Sequence, residues 1–293
     1  MAPIEVAVVI LAIIYFANFA YLDYVVFYFV SFALMTVSWD FLYSYTGQLS
    51  LGQAFQFGLG ALVTLLAISN WHLNFGLAMI VGTMVTVGVG GAVGATTIRL
   101  KPGYQGIALL LVSQVFYWLT YIIYSAEGIS VFALATLSQN VLYVVGIAIF
   151  VPSIIVVHIF QSSKYRVKLL AIRGDNLAAE VSGINVNVHK TLAFLISSFF
   201  AGVSGSFFAI FNSHFDYTFF AVTNSFLPIG MAIVGGMGLL EGSILGTAII
   251  VGLLNLLPIY ISLADTYIIY GAMIVVVLRL VPKGLARIIL GTK

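Results

Sequence analysis

The chain has 293 residues, of which 62% are hydrophobic and 7% charged, with a formal net charge of +2 and no cysteine. Ordinary soluble domains carry about 45–50% apolar and about 25% charged residues, so a water-soluble surface is excluded and the chain is read as an integral membrane protein. Without cysteine there are no disulfides, thiol chemistry or cysteine metal sites, and no nucleic-acid partner or cofactor is expected.

The apolar runs are continuous rather than alternating, which points to spans of roughly 20 residues in helices and not to barrel strands. Met1–Leu22 lacks a basic start and runs straight into another apolar segment, so 4–22 is read as a first span and not a cleavable signal. The second span, 24–43, carries Asp40 near its end. An ionised carboxylate at mid-membrane costs about 2.5–3.5 kcal/mol, so Asp40 is expected to be hydrated, paired or protonated, and it is kept as a candidate for the translocation pathway.

Next comes "TGQLSLGQAFQFGLG", residues 46–60, inside an uncharged stretch from Phe41 to Ile98. Amides facing lipid are costly, so Gln48, Ser50, Gln53 and Gln56 must face protein or water. The reading is that Gln48, Ser50 and Gln53 line a solute route at a subunit interface. Spans 50–69 and 76–97 follow. "GVGGAVGA", residues 88–95, partly imitates a dinucleotide fingerprint, but no strand precedes it, so it reads as helix packing.

Arg99 and Lys101 form a first basic site, and spans 104–124 and 139–160 an out-and-back pair after it. A second basic cluster, Lys164, Arg166, Lys168, Arg173 and Lys190, lies in the richest polar segment, 162–190. Within it Asp175 is a good N-cap and Gly183 a good stop, bracketing a short helix from about Asn176 to Ser182 with an apolar stripe at Leu177 and Val181. Such a stub is far too short to span; it reads either as a docking element for a soluble partner or as a connector packed on its own protein.

Spans 191–213, 220–240, 243–263 and 266–282 complete the chain, ending at Arg279, Lys283, Arg287 and Lys293. Residues 227–248 hold Pro228 and a second run of glycines that includes Gly235, Gly236 and Gly238. Paired Gly/Pro-interrupted segments in two halves point to a transport pathway, while the spacing of Gly238, Gly242 and Gly246 also suits close helix packing. The positive-inside rule places all three basic clusters in the cytoplasm and Asp23, Glu127, Asp216 and Asp265 outside. The expectation is an all-α membrane protein with a single domain over 1–293. It is a polytopic bundle of about ten helices with broken or re-entrant glycine-rich segments, a short cytoplasmic helix and both termini inside.

"AIRGDNLAAEVSGINVNVHKTLAFLISSFFAGVSG", residues 171–205, resembles the cytoplasmic loop and following helix of ABC-importer permeases of the branched-chain amino-acid class. Residues 46–60, residues 235–246 and "LRLVPKGL" resemble further segments of that family, in the same order, with the LivM-type subunit the best match. The resemblance implies a permease of a plasma-membrane importer for branched-chain or related hydrophobic amino acids. It also implies a second, LivH-type permease, two cytoplasmic ATP-binding subunits and an extracytoplasmic substrate-binding protein. Arg173, Asp175, Ala178, Ala179, Glu180 and Gly183 would form the helix that couples to the ATPase. The chain departs from the family at Asp40, where Asn is common, and at Gln56, Gly174 and His189.

No Walker A sequence is present and His72, His158, His189 and His214 lack ligand spacing, so neither ATP hydrolysis nor a metal site is expected. No constellation for a membrane enzyme is found. An ion-coupled secondary transporter of a small polar solute is the alternative; it would need acids deep in the spans, and Asp40 is the candidate.

Overall fold

A computed structural model describes residues 20–127, 138–281 and 283–289. The predicted span 4–22 lies, but for its last residues, outside that set. The described part is helical. It runs α1 (Ala20–Thr46), α2 (Gln53–Ser69), α3 (Phe75–Thr97), α4 (Pro102–Glu127), α5 (Gln139–Gln161), α6 (Lys164–Gly174), α7 (Asn176–Val181), α8 (Val186–Asn212), α9 (Val222–Gly235), α10 (Leu240–Leu256), α11 (Leu263–Leu280) and α12 (Leu285–Ile289). Each predicted span after the first has a helical counterpart. Among the described residues six helices are long and apolar enough to cross a membrane, while α2 and α9 are shorter apolar helices.

Local chemistry sets several helix starts. Asn74 accepts from Leu77 N at 2.8 Å to open α3, and Asn185 accepts from Val188 N at 3.1 Å to open α8. Ser262 accepts from Asp265 N at 3.2 Å to open α11. The basic α6 has no counterpart among the predicted elements; its polar sequence masks a helix that follows α5 after a two-residue bend.

α1 and α8 form the centre. Almost all of the α1 span is buried, as is most of α8, whereas α3, α4 and α5 each leave most of their length uncovered. α2 and α3 pack along α8, and α9 and α10 pack along α1. Small residues permit this closeness: a Cβ on Gly205 of α8 would run into the Phe57 carbonyl of α2, and one on Gly60 of α2 would meet the Gly202 carbonyl. The glycines of 88–95 follow suit, with Gly90 against Ser198 and Gly94 against Phe194.

Two breaks interrupt the bundle. Between α1 and α2 the chain turns at Gly47 (φ +70°) and runs non-helically to Gly52. Trp39 Nε1 donates to the Ser50 carbonyl at 2.7 Å, so this segment folds back along α1. Between α9 and α10 the chain turns through Gly236 (φ +122°) and Gly238 (φ +81°). A 3-10 turn, Tyr217–Phe220, also dips into the bundle and lays Phe220 over Gly58.

Candidate functional site

The first candidate region is a seam of hydroxyls and amides among α1, α2 and α8. Ser38 Oγ donates to the Ser197 carbonyl at 2.7 Å and lies 2.9 Å from Ser197 Oγ. Gln53 joins at long range, accepting from Ser38 Oγ at 3.4 Å and donating to Ser197 Oγ at 3.5 Å. Three residues on, Gln56 Nε2 donates to Ser198 Oγ at 2.9 Å. Gln53 and Gln56 are fully buried, 0% exposed, within this one chain.

The start of α2 explains why that seam is polar. Gly52 occupies its N-cap and offers no side chain, so the first amides of the helix need partners from elsewhere. Ser225 of α9 accepts from Ala54 N and Ser113 of α4 accepts from Phe55 N, each at 3.2 Å. Gln53 sits level with Ser38, about 12 Å from the end of α1 at ~1.5 Å per residue. A helix thus begins within the bundle, capped by two hydroxyls from distant helices.

Gln48 and Ser50 lie on the folded-back segment just before it, both buried. Gln48 Oε1 accepts from Thr46 Oγ1 at 3.2 Å. Gln48 Nε2, Ser50 Oγ and Gln56 Oε1 find no hydrogen-bond partner among the described residues. Buried polar groups are nearly always paired, so these three atoms stand out.

The second region joins α1 to the α9–α10 break. Asp40 is 5% exposed, and its carboxylate accepts from Ser44 Oγ at 2.6 Å, from Gly238 N at 2.9 and 3.1 Å, and from Ser243 Oγ at 3.1 Å. It lies against the N-terminus of α10, whose N-cap Leu239 provides no side-chain cap. A carboxylate there meets the positive end of the helix dipole. Of the three glycines singled out above, Gly238 therefore belongs with Asp40. Gly235 and Gly236 serve contact: a Cβ on Gly235 would strike the Gly242 carbonyl, and Gly236 packs on Lys283 and Gly284.

The third region is the α6–α7 loop. Asp175 Oδ1 accepts from Leu177 N at 2.8 Å and Ala178 N at 3.3 Å. Gly183, at φ +81°, donates to the Glu180 carbonyl at 2.9 Å, and Ile184 N donates to the Ala179 carbonyl at 3.0 Å. That pair of bonds is a Schellman stop. The helix ends one residue earlier than expected, at Val181. Ala179 is its buried residue, facing the protein, while Ala178 and Glu180 are exposed. Leu177 and Val181 are 73% and 90% exposed, so the apolar stripe faces away from the chain.

Arg173, at the end of α6, donates through Nη1 to the Ser44 carbonyl and lies over the Tyr43 ring at 5.7 Å. The loop and the Asp40 cluster are therefore linked through Ser44. Sequence reasoning missed Ser38, Ser113, Ser197, Ser198 and Ser225; the serine pair in the middle of α8 was the available signal.

The charges sort by end. Arg99 lines a groove with Asn187 and Val188 beside α7, and α12 with Arg287 packs on α10 at the Asp40 end. Asp216 and Asp265 lie at the other end, where Asp216 caps the 3-10 turn and Asp265, in the first turn of α11, donates its N–H to the capping Ser262.

The family described as "Branched-chain amino acid transport system / permease component" matches residues 21–278. No curated protein and no solved structure matches the chain.

Proposed function

We propose a function that starts from one premise: the chain belongs to the family of permease components of branched-chain amino acid transport systems. It is a LivM-type permease subunit of an ATP-binding-cassette importer in the cytoplasmic membrane. It passes branched-chain or related hydrophobic amino acids inward together with a second permease. Two ATPase subunits drive it from the cytoplasm, and a separate extracytoplasmic protein delivers the solute. The protein itself is no enzyme.

The observation that carries this reading is α7. It is fastened at both ends, by Asp175 and by the Gly183 stop, yet it turns Leu177 and Val181 away from its own protein. A stiff stub with an outward apolar stripe and an acid, Glu180, suits the surface of a soluble motor. Displacement of the stub would pass through Arg173 to Ser44, then through Asp40 to Gly238 and Ser243 at the α9–α10 break. Packed elements with two arrangements transmit such shifts. Asp40, the acid an ion-coupled carrier would use, is already engaged by three donors, which favours the motor-driven reading.

The pathway follows the folded-back segment. Gln48 and Ser50 offer unpaired polar atoms to water or solute when the seam opens, Gln53 forms the wall, and Asp40 with Gly235, Gly236 and Gly238 holds the break beside it.

Leu177→Asp and Val181→Asp test the docking role. Both side chains are largely exposed, so stability of the isolated permease should change by no more than about 0.5 kcal/mol. Copurification of the ATPase subunits and uptake of labelled leucine should each fall at least about tenfold, the effect of losing an interface hot spot. Glu180→Lys should do the same. Full association and uptake in all three variants would remove the docking assignment.

A further inference from the structure

A cavity of about 310 Å³ lies between the outer halves of α1, α2, α8, α9, α10 and α11, at the end opposite α7. Ligand pockets typically run about 300–1,000 Å³, so the space is of solute size. Its wall is divided. On one side stand aromatic rings, with Phe57 of α2 at 5.2 Å from Phe208 of α8 and Phe208 at 5.2 Å from Phe219 of the 3-10 turn. On the other are polar groups: Asn224 of α9, Asn255 of α10 and Tyr267 of α11. Among the described residues no charged side chain lines it.

Asn224 is fixed rather than free, since its Nδ2 donates to the Thr218 carbonyl at 3.0 Å and the Phe219 carbonyl at 3.3 Å. Those bonds use the donor group of the amide and hold it at the base of the 3-10 turn. Pro228, one turn further along α9, has no N–H to give the Asn224 carbonyl. An amide edge and an aromatic wall thus face each other across a space within a single subunit.

We propose that this cavity is a solute chamber, on the importer reading above, and that it selects by net charge rather than by the branching of an aliphatic group. A charged side chain entering it would lose water without gaining a counter-ion, which is costly in a low-dielectric interior. An uncharged apolar side chain would lie against the rings, and flat aromatic faces and the flexible Met231 impose no branched shape on it. Leucine and phenylalanine should therefore occupy the chamber alike, and lysine and glutamate should not.

The absence of cysteine from the native chain makes the test direct. Leu227→Cys and Leu254→Cys place thiols on the chamber wall, and Val115→Cys places one on the exposed apolar flank of α4. Each is expressed in the complete transporter in intact cells and treated from outside with a membrane-impermeant thiosulfonate. Both chamber thiols should react at least about tenfold faster than Val115→Cys, and saturating leucine or phenylalanine, but neither lysine nor glutamate, should slow them at least about threefold. Reaction no faster than at Val115→Cys overturns the chamber; so does reaction that leucine leaves unchanged. Protection by lysine or glutamate equal to that by leucine, or protection by leucine but not phenylalanine, overturns the selection rule. Uptake of labelled leucine in the same cells, with and without Val181→Asp, separates the two ideas: uptake that needs α7 beside an unreactive chamber removes the chamber and leaves the importer.

Discussion

At the scale of single residues, Asp40 shows how a charge can sit inside an apolar bundle. Its hydrogen-bond partners among the described residues are all donors, and they come from its own helix, from the α9–α10 break and from α10. Two of them have an alternative: a hydroxyl can turn to the carbonyl one helical turn back, as Ser243 Oγ already does weakly toward Leu239 at 3.5 Å. Gly238 N has no such freedom, because its bond direction is fixed by the backbone. Asp40→Leu should therefore orphan one part-buried N–H and cost about 1–3 kcal/mol, whereas Asp40→Asn keeps an acceptor oxygen and should cost less than half of that. Thermal unfolding of the detergent-purified protein gives the order; equal losses for Asn and Leu would show that the carboxylate, not an acceptor oxygen, is what the break needs. Asp40 was legible as an anomaly from its charge alone. Its partners were not, since Gly238 and Ser243 are about two hundred residues away and nothing in their local pattern points back to it.

Single elements differ in how openly the sequence declares them. The stub α7 was readable because its cap and its stop are local: Asp175 bonds amides two and three residues on, and Gly183 supplies the left-handed turn. The start of α2 was not, because its caps arrive from other helices. Ser113 and Ser225 lie 58 and 171 residues from the amides they accept from. Read alone, they are two more serines in apolar helices; in place, they allow a helix to begin inside the buried bundle. Ser225→Ala removes the cap of Ala54 N and should cost about 1 kcal/mol, within the range of cap deletions, whereas Ser113→Ala leaves Phe55 N with the Gly52 carbonyl at 3.1 Å and should cost less. The amides they serve are adjacent, so both changes act on one helix end and the double variant need not be the sum. Single, double and parent proteins compared by thermal unfolding check this; no loss in the double variant would mean the α2 amides find other partners.

The whole molecule carries a charge asymmetry that no single element contains. The basic residues after α3, those of the α6–α7 loop and those of α12 gather at the end where α7, Ser44 and the α9–α10 break also lie. Asp216 and Asp265 sit at the opposite end. Three clusters separated along the chain by sixty residues and more could each have faced either way; the fold brings them together. Flanking Lys and Arg near helix ends set orientation during insertion, so this end should remain in the cytoplasm. Two thiols in the cysteine-free chain test that at once. Ser182→Cys sits beside the exposed stripe of α7, and Tyr260→Cys replaces a side chain 85% exposed in the turn between α10 and α11. An impermeant maleimide added to intact cells should label Tyr260→Cys and spare Ser182→Cys, and inside-out vesicles should reverse the pattern. The opposite result would put α7 outside, where no ATPase could reach it, and would remove the motor-driven function while leaving the packing of the bundle as it stands.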